Sequence, residues 1–288
     1  MVEAHAGVRI FTANRDGGSL LAFAAQASGN VAPAATIAGG KTTLTQPDAL
    51  ALDSSGNIYA ANDSGTTVAV FSPTAHGNVA PAKTIGGSNS HLGPTEGILV
   101  DGSGDLWVTD YSAGAVTEYA AGAQGNVAPI TTITGKKTKL ATPTGMAMDK
   151  NGRLFVANTG SGSVVAFAAG ADGNVAPVVT LTGSNTGIER PFALAFDSRG
   201  RLLVADESVG VIVFAKGARG NATPLATITG FSEATGVVAD AKNRIYVADF
   251  SGNSIKEFAP NANGNATPIH TIQGSKTTLD GANYLALH

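Results

Sequence analysis

The chain has 288 residues, 43% of them hydrophobic and 14% charged, with a formal net charge of −3. That balance suits a folding chain rather than a disordered one and leaves no electrostatic footprint for nucleic acid or an anionic membrane surface. Cysteine is absent, which removes disulfides, thiolate zinc sites and cysteine nucleophiles, and no apolar run approaches the roughly 20 residues that a membrane helix needs.

The opening MVEAHAGVRI has no signal-peptide core and passes at once into three strand-like runs, VRIFTAN, SLLAFA and ATI. Next comes PDALALD, an apolar run closed by Asp53, then NIYAAN closed by Asn62, then TVAVF and a short TI step. From here the chain repeats itself, and a fixed period of this kind decides the fold before any local signal does. Gly-Asn, followed three residues after the Asn by Pro, recurs at Gly29-Asn30, Gly77-Asn78, Gly125-Asn126, Gly173-Asn174, Gly220-Asn221 and Gly264-Asn265, in steps of 48, 48, 48, 47 and 44. Asp53, Asp101, Asp149, Asp197 and Asp240 each close an apolar run, and His288 closes the sixth, YLALH. Nine residues after each Asp stands Asn62, Asp110, Asn158, Asp206 or Asp249, with Asn14 as the N-terminal counterpart.

Each repeat reads as four strands, A to D. Asp-x-x-Gly, in four copies, links A to B by side-chain bonds to the turn backbone and a left-handed Gly. Gly-Asn reads as hairpin chemistry in the C–D link. Four-stranded units repeated six times predict an all-β, six-bladed β-propeller of antiparallel strands, one domain over 1–288. The chain ends on a lone strand A (residues 283–287) and begins with B, C and D. The ring is therefore expected to close through a blade shared by the two ends.

Segments such as PTGMAMDKNGRLFVAN (143–158) and ATGVVADAKNRIYVAD (234–249) resemble the NHL-repeat family of six-bladed propellers over the whole chain. The family's Asn-x-Arg after strand B is missing, and Gly-Ser or Gly-Asn pairs stand in its place. The resemblance implies a scaffold for interaction rather than one activity.

Identical residues repeated at turns read as structure, so function is sought where copies disagree. Five residues before the strand-A Asp stand Asp48, Glu96, Thr144, Phe192, Thr235 and Asn283, at the mouth of the central channel. Asn283, Asp48 and Glu96 fall on consecutive blades, and two carboxylates with an amide can hold a hard cation such as Ca²⁺. Gluconolactonase-like six-bladed propellers bind a divalent metal at that place through a similar mix, although their surrounding motifs are not matched. Asp110 and Asp206, on the B–C side of the same face, complete the ligand-binding set. The D–A loops also carry Lys41, Lys136, Lys137, Lys139 and Lys276, read as a solvated rim. The Walker pattern fails at Ala35. The five histidines (His5, His76, His91, His270, His288) suggest no zinc pair. Asp101-Gly-Ser-Gly-Asp105 reads as a turn rather than a calcium loop. The short link between Asn221 and Asp240 predicts a gap in the rim that opens the channel towards Glu233 and Thr235.

The sequence thus predicts a non-catalytic, bacterial, extracytoplasmic and monomeric binding propeller for a protein, glycan or small molecule, with no required cofactor. The alternative is a metal-dependent hydrolase or lyase acting at Asp48, Glu96 and Asn283.

Overall fold

The computed structural model describes residues 8–63 and 65–288; His5 lies outside them. They form six sheets of four antiparallel strands around a common axis, a six-bladed propeller. Strand A of blades 1 to 6 is Pro47–Leu52, Ile98–Val100, Pro143–Met148, Pro191–Phe196, Ala234–Ala239 and Ala282–Leu287. Among the described residues helix is confined to three single 3₁₀ turns, and no described helix is long and apolar enough to cross a membrane.

Blade 6 is shared as the chain ends require: Ala282–Leu287 pairs with Arg9–Asn14, in the register Ile10–Leu287, Phe11–Ala286 and Thr12–Leu285. The last aromatic of each strand C (Phe23, Phe71, Tyr119, Phe167, Phe214, Phe258) is at most 1% exposed. Six equivalent rings thus fill the same position in every blade, the close packing that a sheet-on-sheet core demands.

The repeated polar residues serve this frame. In five blades the strand-A Asp accepts from the backbone N–H groups two and four residues on, at 2.8–3.1 Å. Blade 5 has Asn243 at φ 62° where the other turns carry Gly, a left-handed position that Asn tolerates.

Gly-Asn does something other than make a hairpin. Strands C and D of blade 1, Thr67–Phe71 and Lys83–Gly86, are joined by the long stretch 72–82, too long for a two-residue turn. Instead, each Gly forms a parallel bridge to strand D of the preceding blade, all six times: Gly77 with Ile37, Gly125 with Ile85, and so on round to Gly29 with Ile272. In five copies the Asn Oδ1 then accepts a backbone N–H from that blade's D–A loop at 2.6–2.8 Å. The dipeptide is an inter-blade clasp along the outer rim, a long-range role that local turn propensity does not reveal.

Candidate functional site: the channel mouth

Strand A runs nearest the axis, and in five blades its pairing with strand B slips at the variable position. Pro47 pairs with Asn62 and Ala49 with Ala61, which leaves Asp48 without a cross-strand partner; Thr144, Phe192, Thr235 and Asn283 sit in equivalent slips. A bulge re-aims one side chain while the sheet continues, and here the re-aimed side chains reach the strand A of the next blade. Asn283 Nδ2 donates to Asp48 Oδ1 at 2.7 Å. Thr144 Oγ1 donates to Phe192 O at 2.9 Å and Thr235 Oγ1 to Ala282 O at 3.3 Å.

The next residue in each strand A is Ala49, Gly97, Gly145, Ala193 or Gly236, but Tyr284 in blade 6. Five small residues make room for one large one. The Tyr284 hydroxyl reaches Phe192 O at 3.3 Å, its ring lies 5.4 Å from that of Phe192, and a Cβ on Gly145 would come within 2.9 Å of the hydroxyl. Tyr284 therefore crosses the axis and floors the mouth, and the channel ends there as a cup.

A second variable ring surrounds the cup: Arg15, Asp63, Tyr111, Thr159, Glu207 and Phe250, each one residue after strand B. One backbone bond holds all six. Their N–H groups donate at 2.9–3.3 Å to the carbonyls of Gly281, Gln46, Pro94, Thr142, Arg190 and Glu233. Sequence reasoning stopped at the preceding residue and missed this ring, although the same signal, copies that disagree, marks it.

Arg15 is the important addition. Its Nε lies 3.2 Å from Asp48 Oδ1, and its guanidinium also pairs with Asp63 and Asp16. Asp48 is 3% exposed. Burial, then the charges of Glu96 and Asp63, push its carboxyl up to about 8 against the pull of Arg15 and the Asn283 amide. Glu96, half-buried, is pushed up to about 7 by burial, then by Asp63 and Glu207, again opposed by Arg15. Glu207 is raised by burial and answered by Arg190, whose guanidinium lies 2.6 Å away. The cup thus gathers more carboxyl groups than cations to meet them. Asn283 Oδ1 is buried beside them with no hydrogen-bond partner, a costly arrangement for an amide oxygen.

Asp48 and Asn283 are therefore joined, with Arg15 against the same carboxylate oxygen, while Glu96 bears on Asp48 through its charge. Asp206 is fully buried, and its carboxylate accepts from Glu189 N, Arg190 N and Ser208 N at 2.8–3.1 Å. It fastens the D–A loop, as do Asn14, Asn62, Asn158 and Asp249. Asp110 turns its carboxylate onto its own B–C turn, accepting from Ser112 N and Ala113 N. The rim lysines 41, 136, 137, 139 and 276 are exposed. The shortened loop 229–233 does not bare Thr235, which is 3% exposed. Phe231 fills the place of the missing residues, with its ring 5.6 Å from Phe258 and Lys256 Nζ 5.0 Å above it.

A carboxylate trio with ligand atoms within 4.8 Å of one another, Asp101, Asp105 and Glu118, lies in blade 2 away from the mouth. Its oxygens are largely engaged by the turn: Asp101 receives Ser103 N, Asp105 N and the Trp107 indole, and Asp105 receives Ala121 N. That is the turn role the sequence assigns to this run.

No family model and no curated protein matches the chain. Solved structures match it in fold. A protein of unknown function from Bacteroides caccae is 10% identical with a TM-score of 0.68, covering 98% of this chain and 99% of its own. A chain of a nidogen/laminin complex is 15% identical with a TM-score of 0.67, covering 98% of each. Streptogramin B lyase is 12% identical with a TM-score of 0.61, covering 96% of this chain and 82% of its own. At these identities the likeness concerns the fold alone.

Proposed function

We propose that this propeller is a binding protein whose mouth captures a positively charged group. The observation that carries the reading is the buried Asp48, hydrogen-bonded to an Asn283 whose Oδ1 is itself buried without a partner, with the charge of Glu96 acting on the same carboxyl. Burial and mutual repulsion oppose ionisation of these carboxyl groups, and an incoming cation would favour it. Asn283 Oδ1 specifically favours a divalent ion such as Ca²⁺, a hard cation that takes amide and carboxylate oxygens together; Asp48, Glu96 and Asn283 would hold it. Arg15, 3.2 Å from Asp48, favours an organic cation that shares the carboxylates with the guanidinium instead. The metal-dependent hydrolase or lyase reading rests on the divalent case, and streptogramin B lyase shows only that a similar fold hosts a lyase. The NHL-like repeat pattern and the composition support an interaction role outside the cytoplasm.

Melting curves at pH 8 with CaCl₂, MgCl₂ or putrescine separate these cases, since a ligand of the native state raises Tm by mass action. The expected result is a rise with at least one cation that disappears in Asp48→Asn/Glu96→Gln. A rise with Ca²⁺ alone selects the metal, and one with putrescine alone the organic cation. No rise with any of them, or an unchanged rise in the double variant, overturns the reading.

A further inference from the structure

The opposite end of the molecule, where the A–B turns gather, carries a chemistry of the other sign. A groove of about 490 Å³ opens there between blades 3 and 4 and reaches the edge of blade 5. Its size is that of a small-molecule site, roughly 300–1,000 Å³. Phe155 and Phe196, edge to face at 5.0 Å, line it together with Leu202, and Arg153 lies over the Phe155 ring at 5.5 Å.

The walls are cationic. Three carboxylates, Asp149, Asp197 and Asp240, lie along the groove, and each is held by its own arginine four residues on (Arg153, Arg201, Arg244) at 2.6–2.7 Å. Beyond these neutral pairs, Lys150, Arg199, Lys216 and Arg219 line the groove with no carboxylate partner among the described residues. An apolar floor with four unpaired cations around it is not what the fold requires.

Comparison among the repeats makes the same point. The residue before the clasp Gly is Ser28, His76, Gln124, Asp172, Arg219 or Asn263, and the residue three earlier is Ala25, Pro73, Ala121, Ala169, Lys216 or Pro260. Asp172 and Asn263 use the first position structurally, accepting Thr132 N and Thr227 N of the neighbouring blade at 3.0 Å. Arginine cannot accept a hydrogen bond, so blade 4 gives up that contact and sets Arg219 and Lys216 on the groove instead. The equivalent crevice between blades 6 and 1 is smaller, about 270 Å³, with Pro73 and His76 at these two positions. The walls between blades 4 and 5 are also fixed: Ser198 N and Oγ donate to Asn243 Oδ1 at 3.0 and 2.7 Å, and Arg201 donates to Pro260 O at 3.0 Å.

We propose that this groove is a second binding site, for a small organic anion whose apolar body lies on Phe155 and Phe196 while its acidic group meets Lys216 and Arg219. A preformed apolar recess with a few convergent charged groups is how small-molecule sites obtain affinity and orientation, and the separation from the acidic mouth keeps the two charge preferences apart.

The probe is 8-anilino-1-naphthalenesulfonate, an aromatic ring system with one sulfonate, beside the uncharged N-phenyl-1-naphthylamine. Folded protein is expected to enhance the sulfonate dye's fluorescence saturably, and added salt to weaken it. Lys216→Gln/Arg219→Gln should weaken the sulfonate dye at least about tenfold, equivalent to about 1.4 kcal/mol, and change the neutral dye by less than about twofold. Lys41→Gln/Lys276→Gln, on the other face, should leave both dyes unaffected. An unaltered melting curve for each variant shows that the fold is retained. Absence of saturable dye binding overturns the proposal. So does a groove variant that binds the sulfonate dye like the wild type, or one that loses the neutral dye equally.

Discussion

The two ends of this propeller are built from the same strands yet offer opposite surroundings. At the mouth, bulges in strand A turn Asp48 and Asn283 onto each other, and carboxyl groups outnumber the cations that meet them. At the other end, the A–B turns of blades 3 to 5 neutralise every aspartate with an arginine and leave cations over. The difference lies in what the repeat leaves free. Where a residue is needed for the turn, as the strand-A Asp is, five copies carry it and its charge is consumed locally. Where the frame is held by backbone bonds alone, as in the ring from Arg15 to Phe250, side chains vary and charge accumulates.

The severest way to break the comparison is to open the ring on which both ends depend. Deleting Asn283–His288 removes most of strand A of blade 6 and strips Ile10 and Phe11 of their partners Leu287 and Ala286. At roughly 1.5–3 kcal/mol for each large apolar group, against a total of about 5–15 kcal/mol for a domain, the truncated chain should melt far lower or aggregate. Thermal denaturation checks this, and truncated protein that melts like the full chain would exclude the shared blade.

A milder cut joins the two ends. Tyr284→Ala removes the floor of the cup and should cost about 3–5 kcal/mol, as for other buried aromatics. Tyr284→Phe loses one hydrogen bond and should cost about 0.5–1.5 kcal/mol. Urea titrations of the pair measure both, and equal losses would mean that the ring does not fill the axis.

The smallest effect sharpens the contrast by pH. Asp48 and Glu96 have folded pKa values raised to about 8 and 7, from ordinary values of 3.8 and 4.5. Between those limits the native state keeps protons that the unfolded chain has released. Stability is therefore full at about pH 4 and falls as pH rises through 7 to 8. Melting temperatures across that window should decline in the wild type and decline less in Asp48→Asn/Glu96→Gln, with a residual slope from the raised carboxyls of Asp206 and Glu207. Lys216→Gln/Arg219→Gln should retain the wild-type slope; a matching change there would mean that the two ends are electrostatically coupled.

Much of this was legible in the sequence because repetition converts a local signal into a global one. Asp53 and its four counterparts announce a turn five times, and the unpaired YLALH at the end implies the shared blade. Asp48, Glu96 and Asn283 could be nominated because copies disagree at a known step from the turn. Arg15 is not nominated as their partner because it stands one position beyond the repeated Asn/Asp that closes strand B, and its reach to Asp48 and Asp63 of the next blade depends on packing. Gly-Asn reads as a hairpin because its intrinsic turn preference is real, whereas its parallel bridge depends on a neighbouring blade. The cations of the groove are plain in the sequence, but the recess between Phe155 and Phe196 is a product of packing.

The outer clasp has one further consequence. In an open solenoid the terminal repeats touch one neighbour each and fray first. Here six parallel bridges, the last joining Gly29 to Ile272, give every blade two neighbours and leave none terminal. Any blade that detached would break two interfaces at once. Loss of structure should therefore spread round the whole circle in a single cooperative step, and new chain ends cut into an A–B turn, away from the clasps, with the old ends joined would leave that circle whole.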